Sequence, residues 1–150
     1  MKILAQTIRD EVDKLATRML NVPEQEADAC PAPGKWSKKE ILGHLADSAH
    51  NNIRRLVCAQ YQDRPNIIYH QDEWVQLQHY SQYRWADLVA FWQMLNLHLA
   101  HVLEYLPETS EARLCDTGKD TPELHSLGFL AHDYLAHLRH HTQQILHERV

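Results

Sequence analysis

Three of the chain's twelve histidines, His137, His140 and His141, fall within five consecutive positions near its C-terminal end. On an α-helix, where successive residues turn by about 100°, His137 and His141 share one face and lie about 40° apart. His140 points away from that face, toward solvent. Residues at i and i+4 have Cβ atoms about 5–6 Å apart, so two imidazoles there can reach one ion. The stretch therefore offers two nitrogen ligands to a divalent metal.

A third histidine is predicted to face this pair from an earlier helix. His44, Ser48, Asn51 and Arg55 recur at i, i+4, i+7 and i+11, which makes a polar ridge beside an apolar stripe. His44 would complete a set of three protein ligands, and three ligands with water in the remaining positions are typical of a catalytic zinc site. The alternative is that a histidine-rich helix carries these residues without any metal. Leu138 follows His137, so the zinc-protease pattern with its own general base is absent.

Four helices must position these residues. The chain has few glycines, no long β-branched runs and many Leu, Ala, Gln and Glu, which predicts an all-α fold. Prolines and polar clusters predict a first helix that ends before residue 21, followed by helices over about 37–62, 82–106 and 123–148. Ser37 and Glu40 match a capping box at the start of the second. We expect a four-helix bundle with long crossover connections, in one domain over residues 1–150.

The connection over residues 63–81 contains Pro65 and aromatic residues with no steady period. It predicts a long, partly ordered segment that covers one end of the domain. Trp74 in this segment could form the roof of a pocket. Packing is the simpler interpretation for the tryptophans, which are Trp36, Trp74, Trp85 and Trp92.

Composition excludes several classes of partner. Twenty acidic residues outnumber fifteen basic ones, and Lys and Arg form only short pairs, so no nucleic-acid surface is expected. Three widely separated cysteines without a CxxC pair suit a reducing compartment, and we expect the cytoplasm. The N-terminal stretch is amphipathic and unlike a signal peptide, and no apolar run is long enough to span a membrane. A small-molecule substrate remains the expected partner.

Two stretches, KWSKKEILGHLADSAHNN and DYLAHLRHHTQQI, resemble the DinB-like, or YfiT-like, family of metal-binding four-helix bundles. Members carry HxxDS on the second helix and HxxxH on the fourth, and residues 74–99 are similar to the family's third-helix region. The resemblance covers residues 35–148. It implies an up-down-down-up bundle that often forms a homodimer. It also implies a divalent metal, zinc or nickel, on His44, His137 and His141, the three histidines that the helical angles select independently.

For some members the resemblance implies thiol S-transferase or isomerase activity with a low-molecular-weight thiol, and for others metal-dependent hydrolysis. No general base is evident in the sequence, and a thiolate needs less help from a base than water does, which favours S-transfer. The same absence leaves open a non-catalytic metal or small-molecule binding module, such as a stress-related accessory domain. Fold alone does not decide between these chemistries.

Further residues near the predicted ligands are candidates for contact with metal or substrate. Asp47 either orients a ligand imidazole, fixes the helix backbone or faces solvent. Ser48 and Asn51, on the His44 ridge, are placed to contact a substrate. Arg55 either receives the carboxylate of a thiol cofactor or forms an ordinary surface ion pair. Tyr134, next to His141 on the helical wheel, either donates a proton or hydrogen bond near the metal or is a core aromatic residue.

Overall fold

The computed structural model describes residues 1–147, and most of them are helical. Four long helices, α1, α3, α5 and α6, form the predicted bundle, in which α1 and α3 both pack against α5 and against α6. Two short helices, α2 and α4, lie in the connections. The helices are α1 (Lys2–Met19), α2 (Glu24–Asp28), α3 (Lys38–Cys58), α4 (Gln71–Leu77), α5 (Trp85–Glu104) and α6 (Leu127–Leu146).

The core lies between the four long helices. Each contributes side chains with no exposed surface, among them Ile8, Leu45, Leu99 and Leu138. Burial of one such side chain stabilises a fold by about 1.5–3 kcal/mol, so the apolar stripes of the four helices hold the bundle together. No helix in residues 1–147 combines the length and apolar character needed to cross a bilayer.

The capping box predicted at the start of α3 is present. The Ser37 hydroxyl accepts a hydrogen bond from the Glu40 N–H at 3.3 Å, and the Glu40 carboxylate accepts one from the Ser37 N–H at 2.8 Å. The helix ends at Cys58, before the predicted residue 62. The Arg113 guanidinium donates to the carbonyls of Ala59 and Gln62, so a distant side chain stabilises the turn that follows the helix.

A small β-hairpin, which the sequence analysis did not predict, precedes α6. Strands β1 (Leu114–Asp116) and β2 (Leu124–Ser126) pair antiparallel, and the Asp116 carboxylate accepts hydrogen bonds from the N–H groups of Gly118 and Glu123. Residues 124–126 therefore belong to a strand, and α6 begins only at Leu127, where Ser126 caps it. The predicted end of this helix, residue 148, lies outside the described residues.

The N-terminal turn of α3 is joined to α2 and α6 by two lysines. Lys38 Nζ donates to the Glu26 carboxylate and to the Ile145 carbonyl, both at 2.6 Å. Lys39, only 3% exposed, pairs with Glu24 and with Asp28. The Ile145 carbonyl is in the last turn of α6, where carbonyls lack helical partners, so Lys38 ties that turn to the start of α3.

The connection between α3 and α5 is more ordered than predicted, because it contains α4 and a 3-10 turn at Tyr80–Gln82. The Tyr80 ring is buried against Gly43 of α3. Its hydroxyl donates to the Asp47 carboxylate at 2.6 Å, and the Gln78 side chain donates to the same oxygen at 2.6 Å. A Cβ at position 43 would lie 2.1 Å from Cδ2 of Tyr80, so only glycine admits this contact.

Replacement of Gly43 by alanine tests this contact. Alanine is favoured over glycine within a helix by about 1 kcal/mol. Here the methyl group displaces Tyr80, and overpacking of this kind costs about 1–3 kcal/mol. The helical preference for alanine offsets part of that cost, so we expect Gly43→Ala to lower the free energy of unfolding by up to about 2 kcal/mol, measured by urea titration followed by circular dichroism.

Gly128→Ala is the matched control, because the nearest atom to a Cβ there, the Glu111 carbonyl oxygen, lies at 3.5 Å. That variant should be as stable as the parent or slightly more stable. Equal stability of both alanine variants would contradict the role of Gly43.

Candidate metal centre

The three histidines that the sequence singles out meet between α3 and α6. One ring nitrogen from each of His44, His137 and His141 lies within 4.8 Å of the other two. The Nε2 atoms of His44 and His137 are 3.1 Å apart. Within residues 1–147 this is the one group of three or more His, Cys, Asp or Glu side chains with such spacing.

The donor set fits a divalent ion. Two nitrogen ligands at about 2.0–2.1 Å from a tetrahedral ion stand about 3.4 Å apart, close to the observed separation of the two Nε2 atoms. Nδ1 of His44 is buried and has no hydrogen-bond partner among the described residues. With Nε2 as the ligand atom, Nδ1 carries the ring proton, and its lack of an acceptor among the described residues leaves Nε2 as the nitrogen that faces the other two histidines. No protein side chain of the described part supplies a fourth ligand at that spacing, so open positions remain.

Neighbouring side chains orient two of the rings. His141 Nδ1 lies 2.8 Å from the Gln144 side-chain oxygen, which can only accept, so this contact places the proton on Nδ1 and leaves the Nε2 lone pair free. His137 Nδ1 lies 3.5 Å from the Ser48 hydroxyl. Gln144 is absent from the sequence-based candidates. Its position one turn after His140 and three residues after His141 is the signal that could have identified it.

Burial keeps the three imidazoles neutral. It lowers the pKa of His44 to about 3, and nearby His137 and His141 depress it further. Burial, with His141 and His140, lowers the pKa of His137 to about 4. The pKa of His141 is also lowered, mainly by burial, although its hydrogen bond to Gln144 acts in the opposite direction. All three nitrogens therefore present lone pairs at neutral pH, the form that binds a metal.

An open cavity of about 1000 Å³ adjoins this group. His141 is the member of the three that lines it, together with Trp36, Ile41 and Asp72. The Trp36 ring also lies 5.2 Å from the His44 ring, so it contacts both the cavity and the site. A small molecule would approach the three histidines from the His141 side.

The connection reaches the cavity through Asp72 of α4, and the prediction that Trp74 roofs a pocket receives no support. Trp74 packs against Tyr69, with ring centroids 5.5 Å apart, and against His50. The sequence offered no signal for Asp72, because its place in the cavity wall depends on how the connection packs against α3.

Asp47 is buried and holds the connection. With 2% of its surface exposed it cannot be the solvent-facing carboxylate of one interpretation. Its Oδ1 accepts from Tyr80 and Gln78, and its Oδ2 is buried without a partner in the described part of the chain. Burial raises the pKa of this carboxyl group, although the two hydrogen bonds act in the opposite direction.

Ser48 and Asn51 are buried and do not line the cavity. The Ser48 hydroxyl lies 3.5 Å from both His137 Nδ1 and Asn52 Nδ2. The Asn51 side-chain N–H donates to the Asp47 backbone carbonyl at 2.9 Å. Their contact with a substrate stays a prediction that this geometry does not favour.

Arg55 and Tyr134 are engaged elsewhere. Arg55 donates from Nε and Nη2 to the Ile67 carbonyl at 3.1 and 3.0 Å, so it anchors the connection. The Tyr134 hydroxyl donates to the Asn96 side chain in the core, as the core interpretation requires. His140 is exposed, as predicted, and lines the mouth of the cavity beside His141.

The low histidine pKa values predict an acid-sensitive metal-free protein. Unfolded histidine binds protons near pH 6.5, whereas folded His44 and His137 stay neutral to about pH 3 and 4. Unfolding therefore takes up protons, and stability present above pH 6.5 is lost as the pH falls toward 4. We expect a loss on the order of 2–4 kcal/mol, measured by urea titration of chelator-treated protein between pH 7.5 and 4.5.

The control variants are His44→Gln and His132→Gln. The first removes one of the three histidines with a lowered pKa and should flatten the pH dependence, whereas the second changes an exposed histidine of the same helix as His137. An unchanged pH dependence in His44→Gln would contradict the interpretation.

Comparison with known proteins identifies relatives of this chain. A model of the DinB superfamily matches residues 6–145. A protein of Geobacillus thermodenitrificans (strain NG80-2), whose name assigns it provisionally to the metal-dependent hydrolases, is 26% identical over 142 residues. That match covers 93% of this chain and 78% of the relative.

A solved structure shares the fold. It is YfiT from Bacillus subtilis, described as a probable metal-dependent hydrolase with an unusual four-helix bundle topology. The TM-score is 0.84 at 23% sequence identity, with 95% of this chain and 81% of the other covered. At that identity the likeness establishes the bundle and its topology. From the superfamily match over nearly its whole length, this chain belongs to the DinB superfamily.

Proposed function

We propose that this protein is a divalent-metal-dependent enzyme in which His44, His137 and His141 hold the ion. The observation that carries the proposal is the convergence of three neutral ring nitrogens within 4.8 Å at the edge of an open cavity. Imidazole ligands suit zinc and nickel, and we infer one of these two as the metal. Such an ion acts as a Lewis acid that lowers the pKa of water or of a thiol.

Hydrolysis is the reaction we favour. The relatives' names point to metal-dependent hydrolases, and Asp72 supplies a feature that the sequence motif lacks. It is a carboxylate in the wall of the cavity that His141 also lines, and from there we infer that it accepts a proton from an attacking water. Trp36 and Ile41 offer an apolar surface to the non-reacting part of a small-molecule substrate.

Thiol S-transfer is the second candidate, and Lys35 is the observation that favours it. Arg55, the predicted partner of a thiol's carboxylate, is bound to the Ile67 carbonyl. Lys35 instead lines the cavity, where its ammonium group can pair with a carboxylate of a low-molecular-weight thiol. This reaction needs less from a general base, because a thiolate is already a strong nucleophile.

The proposal also includes the oligomeric state of the protein and its cellular compartment. The family resemblance implies a homodimer, and we infer one here. All three cysteines are free: Cys30 is exposed, Cys58 is half-buried and Cys115 is buried. Free thiols are compatible with the cytoplasm proposed from the sequence.

Ligand substitutions test the metal site. Because each of the three histidines offers one ligand atom, His44→Ala, His137→Ala and His141→Ala should each lower metal affinity by about 100-fold or more. His140→Ala is the matched control on the same helix and should retain affinity within about 3-fold. Competition with a chromophoric chelator for zinc and nickel measures these constants. Equal affinity of His137→Ala and the parent would refute the ligand set.

Turnover tests the chemistry. Metal-loaded protein is given a panel of esters without thiol, and a generic electrophile with a panel of cellular thiols. We expect metal-dependent ester hydrolysis that falls about 100-fold or more in Asp72→Asn while metal affinity is retained. Glu73→Gln, which changes the adjacent exposed carboxylate outside the cavity wall, should leave the rate unchanged.

If turnover required a thiol and was reduced in Lys35→Ala, the result would favour S-transfer over hydrolysis. No metal-dependent turnover with either panel would favour the non-catalytic binding module.

A further inference from the structure

The outward face of α5 is unlike the outward faces of its neighbours. Residues 88–103 contain no Asp, Glu, Lys or Arg. By contrast, the exposed face of α1 carries Lys2, Asp10, Asp13 and Lys14. A bundle helix that meets water on one side normally places charged residues there, and a helix without them is normally covered.

The exposed residues of α5 form a continuous seam. Phe91, Met94, His98, His101 and Tyr105 are all exposed, and the steps between them alternate between three and four residues. We call these five residues the α5 seam. Alternating steps of this kind keep side chains in one line along a helix and are the pattern by which two helices pack side by side.

The side chains of the α5 seam are large, and several of them contact neighbouring aromatic rings. Met94 is 66% exposed, Tyr105 is 72% exposed and Phe91 is 40% exposed. The His101 and Tyr105 rings lie 4.9 Å apart, and Phe91 stacks on Tyr83 at 6.4 Å. Rings already held by neighbours lose little conformational freedom when a partner covers them.

We propose that the α5 seam binds the same seam of a second copy, with the two helices antiparallel about a two-fold axis at His98. His98 is the middle residue of the seam, so this arrangement places Phe91 against Tyr105 of the partner subunit. It also brings the N-terminal end of each α5 helix beside the C-terminal end of the other, so the two helix dipoles oppose each other. A parallel pair would instead align the two helix dipoles.

The area of the seam suits a dimer. At about 200 Å² for a full large side chain, Phe91, Met94, Tyr105 and Tyr83 together expose roughly 400 Å². That is about half of the ~800 Å² that each partner buries in a standard interface, before the histidines and the flanking residues are included. A membrane surface fits less well, because residues 85–112 contain no Lys or Arg to attract anionic lipid.

The inference names the face of the homodimer proposed above, and it does not depend on the metal chemistry. The three histidines lie between α3 and α6, whereas the seam is on α5. Failure of the metal site would leave the seam untouched, and loss of the dimer is measured separately from metal affinity.

A charge in the middle of the seam tests the interface. By sedimentation velocity and light scattering at 1–100 µM, the parent should be a dimer. Met94→Lys should raise the dissociation constant at least 100-fold. Ile3→Lys is the matched control, because Ile3 is 87% exposed on α1 and outside the seam. Both variants should keep the parent's circular dichroism and zinc affinity, so that monomer formation is not a failure to fold.

A cross-linking experiment tests the orientation. In a Cys30→Ser background, Phe91→Cys and Tyr105→Cys proteins are mixed and oxidised with oxidised glutathione. An antiparallel pair gives a disulfide between the two different variants, whereas a parallel pair links each variant to itself and overturns the proposed orientation.

A monomeric parent at 100 µM, or a Met94→Lys protein that stays dimeric, would overturn the interface itself. A third result would also overturn it: a monomeric parent that binds phosphatidylcholine vesicles, with this binding lost in Met94→Lys. The occupant of the seam would then be a lipid surface.

Discussion

The junction between the first turn of α3 and the last turn of α6 decides whether this chain has a metal site. Lys38, 8% exposed, donates at this junction to the Ile145 carbonyl and to Glu26, so its charge is paired and the C-terminal carbonyl of α6 is satisfied. A buried ammonium group without such partners would be strongly unfavourable. With the two ends joined, His44 of α3 meets the face of α6 that carries His137 and His141.

The burial that keeps the histidines neutral, and so suitable as ligands, also makes the metal-free protein less stable at acidic pH. Three imidazoles share a partly buried space, so protonation of any one would place a charge beside the others in a poorly solvated region. That is why the pKa values of all three are lowered. An ion that binds only the folded protein would stabilise it and remove this weakness at the same time.

The polar side chains of α3 contact two neighbouring parts of the chain. His44 and Ser48 face α6, whereas Asp47 and Arg55 hold the connection through Tyr80 and the Ile67 carbonyl. The cavity wall is completed from outside the bundle, by Trp36 before α3 and Asp72 in α4. The long helices thus carry the ligands, and the connections decide what a substrate touches.

Local periodicity determined much of this protein in advance. The 3.6-residue turn separates His137 and His141 from His140, the capping box begins α3, and the apolar stripes require a bundle, since these properties depend on residues a few positions apart. Tertiary structure alone decided that Leu124 begins a strand, that Asp47 is buried under Tyr80, and that Arg55 binds a backbone carbonyl. Each of these depends on a partner that lies between 8 and 33 positions away in sequence and outside the residue's own helix or strand. Asp72 reaches the cavity for the same reason: the fold of the connection, and not a local sequence spacing, places it in the cavity wall.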